Sequence, residues 1–139
     1  MVYEGVEDFF LNRIDISRMF EFMERSEYIF LYNIKKCMEN SDDNKAYMSE
    51  LAKQLNLSIT ETSRAVKNLE DKGFVTWQTD EKKERTFVTL TGKAKEAMAN
   101  QYDKMEKAYH KIFSEISNEE MMQTVSTLGK IREIIKEID

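Results

Sequence analysis

Between Met48 and Thr91, two short helical patterns are followed by two β-like runs around a charged, turn-prone centre, an order that leaves the chain few ways to fold. Ser49 is placed as the N-cap of a helix ending near Leu55, with Leu51, Ala52 and Leu55 facing inward. Asn56 and Leu57 make the turn. Ser58-Ile59-Thr60-Glu61 is a capping box, serine at the N-cap and glutamate three residues on, so two orphan N–H groups are satisfied reciprocally. The helix it opens runs to about Lys72, and Gly73 stops it because glycine can enter the left-handed region. Only Ile59, Ala65, Val66 and Leu69 are strongly apolar there, which predicts one narrow buried face. Thr60, Thr62, Ser63, Arg64, Lys67 and Asn68 are left for solvent or a partner. Phe74–Trp77 and Thr86–Leu90 read as two antiparallel strands, joined by a loop carrying Asp80, Glu81, Lys82, Lys83, Glu84 and Arg85. The pattern is that of a winged helix-turn-helix.

The absence of proline, with only four glycines, favours long helices on either side. Val6, Phe9, Phe10 and Ile14 predict a first helix over about residues 5–22, extended by Met19 and Phe20. Ile29, Phe30, Ile34, Cys37 and Met38 predict a second over about 26–39, and the polar string Asn40–Asn44 a loop. From about Thr91 the helical pattern returns through Ala94, Met98, Gln101, Met105, Ala108, Tyr109, Ile112 and Phe113. A second capping box at Ser117–Glu120 opens a final helix with Met121, Val125, Leu128, Ile131, Ile135 and Ile138 as an apolar series. The apolar arc of this last helix is broader than one flank of a small domain covers, and the first helix is similarly rich in Phe9 and Phe10. Burial between two copies is the expected outcome, by far the commonest arrangement being an isologous dimer; a monomeric bundle folded over the hairpin is the alternative. The expected fold is mainly α with a small β-hairpin wing, in a single chain of 139 residues. Residues 45–91 form the winged helix-turn-helix, and 1–39 and 92–139 a helical dimerisation part.

Composition excludes several classes. With 41% hydrophobic and 34% charged residues the chain is not disordered by composition. No apolar run approaches the roughly 18 residues of a membrane span. The opening MVYEGVEDFF is acidic where a secretory leader is basic, and one cysteine rules out an intrachain disulfide framework. A cytoplasmic location is expected. The net charge of -5 argues against nucleic acid until its distribution is read. Residues 45–95 carry ten Lys and Arg against seven Asp and Glu, whereas the remainder carries eleven against nineteen. A basic middle on an acidic body orients a protein on DNA, because repulsion keeps the body off phosphate.

A helix enters the major groove only if its exposed face is slim and carries donors for base edges and phosphate. The helix after Ser58 meets that requirement. Thr60 and Thr62 lie near its N-terminal end, where backbone N–H groups also take phosphate. Arg64 has the fork to grip a guanine edge or a phosphate, and Lys67 suits phosphate. Ser49 and Lys53 on the preceding helix would touch the backbone. Lys82, Lys83 and Arg85 sit at the wing, where Arg85 would enter the minor groove. Glu61 works against this, either occupied in its cap or repelling phosphate.

Ser49-Glu50-Leu51-Ala52, Leu57-Ser58-Ile59-Thr60 with Arg64, and Leu69-Glu70-Asp71-Lys72-Gly73-Phe74-Val75 resemble the reader half of MarR-family transcriptional regulators. Arg85 and Val88-Thr89-Leu90-Thr91 resemble that family's wing and the start of its next helix. The resemblance implies a homodimer held by its terminal helices. Each recognition helix would lie in successive major grooves of a pseudo-palindromic operator, usually for repression. It also implies Ser58, Thr60, Thr62, Arg64 and Lys67 as groove or phosphate contacts, and release by a small aromatic or anionic compound or an oxidant. Three positions depart from the family pattern. Lys83 stands where an aspartate normally precedes the wing arginine by two residues, so the groups that orient Arg85 must be sought elsewhere, among Asp80, Glu81 and Glu84. The wing is one residue short, and Ala94 replaces a glycine.

The remaining residues offer little chemistry. His110 is the only histidine, with no metal-ligand cluster and no glycine-rich phosphate loop, so neither an enzyme nor a cofactor site is expected. Cys37 joins an apolar stripe, which suits a small buried hydrophobe better than a redox sensor despite Lys35 and Lys36 beside it. An effector pocket is expected where the first, second and fifth helices converge, with Tyr28, Phe30 and Tyr32 as aromatics and Arg13, Arg18 and Arg25 to meet an anion. The competing reading keeps the winged helix but makes it a protein-interaction module without DNA affinity.

Overall fold

The computed structural model describes residues 2–12 and 14–139. In it α1 (Val2–Asn12) is followed by a 3-10 turn at Ser17–Met19, α2 (Arg25–Glu39), β1 (Ala46–Tyr47), α3 (Met48–Leu55) and α4 (Ile59–Asp71). The hairpin β2 (Val75–Asp80) and β3 (Arg85–Leu90) comes next, then α5 (Gly92–Glu115) and α6 (Asn118–Lys136). The first helix is shorter than its periodicity predicts. Beyond Asn12 the Asp15 carboxylate accepts the Ser17 N–H at 2.9 Å, a local bond that competes with helix and turns the chain.

The ends of the reader helices follow local chemistry closely. Ser58 Oγ accepts the Glu61 N–H at 3.0 Å and donates to the Glu61 carboxylate at 3.0 Å, so the cap closes through the hydroxyl. At the other end Gly73 takes φ +80°, with Gly73 N–H to Glu70 O and Phe74 N–H to Leu69 O both at 2.9 Å, the paired bonds of a Schellman stop. Asn56 makes the turn between α3 and α4 at φ 55°, a conformation asparagine tolerates. Ser49 does not cap α3; the N-cap position is Tyr47, and its side chain makes no capping bond.

The sheet has three antiparallel strands in the order β1-β3-β2, one more than the sequence suggests. β1 pairs Ala46 with Val88 and Tyr47 with Phe87, and two residues are too few to show any periodicity. β2 and β3 pair from Val75–Leu90 to Asp80–Arg85, leaving Glu81–Glu84 as the tip. The core gathers Leu31 and Ile34 of α2, Leu51 of α3, Val66 and Leu69 of α4, Val88 of β3, and Ala94 and Met98 of α5. Each such large side chain contributes about 1.5–3 kcal/mol when fully buried, and together they fix α4 on α3 and the hairpin. Lys72 pairs with Glu27, tying the end of α4 to α2.

Past Met105 the molecule changes character. Ala94, Met98, Gln101 and Met105 bury one stripe of α5, but neither α1 nor α6 has a fully buried residue among those described. Phe9, Phe10, Val125, Leu128, Ile135 and Ile138 are exposed, and Ile131 is half-buried.

Candidate nucleic-acid interface

On α4, Thr62, Val66 and Leu69 face the core, which turns Thr60, Arg64, Lys67 and Asn68 outward along one slim stripe. The side chains of Arg64 and Thr60 are exposed and make no hydrogen bond or ion pair with the described residues. Lys67 is exposed but already served, 3.1 Å from Asp71 and 3.6 Å from Glu70, and the Asp71 bond raises its pKa. Lys53 of α3 and Lys82 at the wing tip are exposed and without partners among the described residues.

Two readings of this helix need correction. Thr62 is fully buried and its hydroxyl donates to Ser58 O at 2.8 Å, so it cannot be a groove contact. Its polar side chain satisfies itself against the preceding turn and then packs like valine. Ile59, expected in the buried face, is 54% exposed, because the first turn projects past the edge of the core. Ser58 is exposed but occupied by its cap.

The wing is held by a network the linear sequence does not show. Asp80 stands opposite Arg85 in the strand register, yet its carboxylate receives Lys45 Nζ at 3.1 Å, the Tyr47 hydroxyl at 3.0 Å and the Lys83 N–H at 3.3 Å. Arg85 turns the other way. Its Nη2 donates to Ser49 Oγ at 3.1 Å and Glu50 Oε1 at 3.2 Å, while its Cζ lies 4.0 Å from the centre of the Tyr47 ring. The wing arginine is therefore oriented from α3 and β1, by Glu50, Ser49 and Tyr47, and by none of Asp80, Glu81 or Glu84. Ser49 serves the arginine rather than a helix cap.

Tyr47 is 2% exposed, and its hydroxyl also lies 2.6 Å from Asp43 Oδ2. That bond raises the phenol's pKa. The Ser41 hydroxyl, with Tyr47 and then Lys83 behind it, holds the Asp43 carboxyl far below the usual range; Asp80 is lowered too, chiefly by Lys45. Lys83 Nζ is 3.2 Å from Asp43 and 5.1 Å from the Tyr47 ring, so it is turned back to the loop before β1. At the tip, Glu84 adopts φ 51°.

A cleft of about 540 Å³ lies between α2 and α5 beside the end of β3, lined by Tyr28, Tyr32, Lys35, Leu90, Lys95 and Tyr102 among others. Tyr28 and Tyr32 are among its lining residues, and burial raises the Tyr28 pKa. The expected cations are not: Arg18 is exposed elsewhere, Arg25 lines a different groove with Ile14 and Phe20, and Arg13 lies outside the described residues. Phe30 faces a smaller groove against Ala65 and Leu69, and no described residue of α1 lines the larger cleft. The charged groups present are Lys35, 4.0 Å from Glu39 one turn on in α2, and Lys95, which only the docking of α5 brings to the same cleft.

Cys37 is buried with Sγ 3.2 Å from Gln54 Oε1, and burial pushes its thiol up, opposite to what an oxidation sensor needs. His110 is exposed on α5, 3.5 Å from Glu106. No cluster of metal-ligating side chains is found among the described residues, and no described helix is long and apolar enough to cross a membrane.

Residues 40–87 match the model of the MarR family. No curated protein matches the chain. Among solved structures, AbsC, a MarR family transcriptional regulator from Streptomyces coelicolor, is 17% identical, covering 99% of this chain and 95% of that one with a TM-score of 0.76. A mutant MarR from E. coli complexed with operator DNA is 16% identical over 78% of this chain and 75% of that one, with a TM-score of 0.65. An organohalide-sensing transcriptional regulator in its ligand-free form is 20% identical over 80% of this chain, with a TM-score of 0.63; the present chain spans 63% of its length. The family match runs from the loop before β1 to the middle of β3, and the fold likeness extends over both flanking helical parts. Residues 40–87 thus match the MarR family's domain, set in a chain whose fold is like that of solved MarR-family regulators.

Proposed function

We propose that the chain is a sequence-specific double-stranded DNA-binding transcription regulator, a repressor that grips a pseudo-palindromic operator as a homodimer in the cytoplasm. The observation that carries this reading is Arg64, exposed and without a partner among the described residues, on the outward stripe of a helix whose opposite face is locked into the core. A guanidinium held ready on a rigid helix suits bidentate readout of guanine or clamping of phosphate. Thr60 lies beside it, Lys53 supplies backbone contact from α3, and Lys82 and Arg85 serve at the wing. Residues 1–39 and 92–139 act as the dimerisation part, with Phe9, Phe10, Val125, Leu128, Ile131, Ile135 and Ile138 at the contact. The solved complex of an E. coli MarR with operator DNA supports this use of the fold.

The cleft between α2 and α5 suits a small aromatic anion that releases the operator. Its size lies within the ordinary range for small-molecule sites, and three tyrosines with Lys35 and Lys95 supply apolar faces and cations. One structural relative is described as organohalide-sensing.

A second reading, a winged helix that binds protein and not DNA, is favoured by one observation: Lys67, Lys83 and Arg85 all carry acidic partners within the chain. Binding to the DNA upstream of its own gene, titrated against a scrambled duplex at about 150 mM salt, separates the two. The regulator is expected to protect an inverted repeat, to lose affinity steeply as salt rises, and to weaken by roughly tenfold or more in Arg64→Ala. Absence of affinity for either duplex at low salt would leave the protein-interaction module standing.

A further inference from the structure

We propose that Glu50 on α3, with the ring of Tyr47 on β1, is the positioning residue that aims the wing arginine at the minor groove. This rests on the DNA-binding reading above. Arg85 opens β3, and a free arginine there would sample many rotamers; three contacts remove that freedom. Nη2 is tied to Glu50 Oε1 at 3.2 Å and Ser49 Oγ at 3.1 Å, both in the first turn of α3. The guanidinium carbon lies 4.0 Å from the centre of the Tyr47 ring, a cation–π contact that holds the group against the ring.

The ring itself is a fixed plate. Its hydroxyl is held between Asp43 and Asp80, and its edge packs against Phe87 with centroids 6.0 Å apart. Both Arg85 contacts use the same nitrogen, so Nη1 and Nε keep their hydrogens free of the described residues. An arginine has five N–H donors in one rigid plane. Tethering one corner therefore aims the other three. The carboxylate sits in the first turn of a helix, where the macrodipole favours a negative charge. Meanwhile Asp80, the acid nearest in strand register, is taken by Lys45 and Tyr47 and is unavailable to Arg85. The wing's direction is consequently a property of α3, the helix that also braces the reader.

The test uses the full chain and a site selected from random-sequence duplex DNA by the wild-type protein. Glu50→Gln, Arg85→Ala and the double variant are titrated on that site, with hydroxyl-radical footprints to report minor-groove contact. Side-chain nitrogen NMR reports the Arg85 guanidinium in the free protein. Glu50→Gln is expected to lose about three- to fivefold in affinity, in line with an exposed charged pair. It should erase the minor-groove protection flanking the site and leave the major-groove protection in place. In the Arg85→Ala background the same change should cost nothing further. Tyr47→Leu should copy the footprint; if it fails to fold, Glu50→Gln alone decides.

Unchanged or tighter binding by Glu50→Gln, or an equal loss in both backgrounds, overturns the proposal. A wild-type protein that binds no duplex overturns it along with the DNA reading. That case is recognisable because no variant then differs on DNA, while the NMR restraint on Arg85 still vanishes in Glu50→Gln.

Discussion

Thr62 and Arg64 stand two residues apart on α4 and have opposite fates. Thr62 points into the core and satisfies its hydroxyl on Ser58 O, whereas Arg64 points out and pairs with nothing described. Substitutions at the two sites should separate stability from recognition. Thr62→Val keeps the shape and removes one of two donors to Ser58 O, which retains the Thr62 N–H at 3.0 Å, a cost of about 1 kcal/mol. Urea unfolding should show that loss, with the selected DNA site unchanged. Arg64→Ala, on the solvent side, should leave the urea midpoint nearly where it was and relax or weaken the DNA site. If Thr62→Val altered the bound sequence, the assignment of that side chain to the core would fail. Ile59 belongs to the same lesson, an apolar residue left exposed because the first turn reaches beyond the core's edge.

At the scale of elements, two polar clusters hold parts that apolar packing leaves loose. Gln101 is fully buried on α5, where its Oε1 accepts the N–H groups of Glu21 and Phe22, both at 3.0 Å, and its Nε2 donates to Met19 O at 2.6 Å. That side chain anchors the segment between the 3-10 turn and α2, alongside the Lys104–Glu21 pair at 3.2 Å and the packing of Met23 on the core. Gln101→Leu orphans three backbone groups, a cost of about 2–4 kcal/mol. Hydrogen exchange should accelerate at the Glu21 and Phe22 amides well before it does in the reader helices. The wing cluster is pH-sensitive instead. Asp43 and Asp80 are held below their ordinary values, Asp43 chiefly by Ser41 and Asp80 chiefly by Lys45. A carboxylate lowered on folding stabilises fully above its unfolded pKa of about 4 and loses that contribution as pH falls through its folded value. Melting temperature should therefore fall below about pH 4, and fall less steeply in Asp80→Asn. Equal slopes would show that Asp80 is not stabilised by the network.

At the scale of the whole molecule, apolar surface is distributed unevenly. The winged-helix part closes its core within one chain, whereas α1, the far half of α5, and α6 leave Phe9, Phe10, Phe113, Leu128, Ile134 and Ile135 exposed. Apolar surface left exposed on this scale is what an interface would cover, and the proposed dimer places it between two copies. Leu128→Glu combined with Ile135→Glu should shift sedimentation to the single-chain mass. Melting of the wild-type chain should depend on protein concentration, as mass action requires of a linked dimer. A wild-type chain that sediments as a monomer at every concentration would remove the dimer and, with it, the two-groove grip on DNA.

The parts legible from residues alone are those closed by short-range bonds. The Ser58 and Ser117 caps, the Gly73 stop and the hairpin all use partners a few positions apart, whose geometry follows from helix and strand periods. The apolar stripes of α2, α4 and α6 follow from the same periods. What the sequence could not determine lies at long range. Arg85 meets Ser49 and Glu50 from 36 and 35 positions away, Gln101 meets Glu21 from 80, and Lys35 and Lys95 share a cleft across two helices. Those meetings depend on how α2, α3, α5 and the hairpin dock. Docking is set by the fit of Leu31, Leu51, Val66 and Val88, which is indifferent to the polar groups it carries together at the surface. The arginine of the wing was visible in the chain from the start; the carboxylate that directs it became visible only when the core had closed.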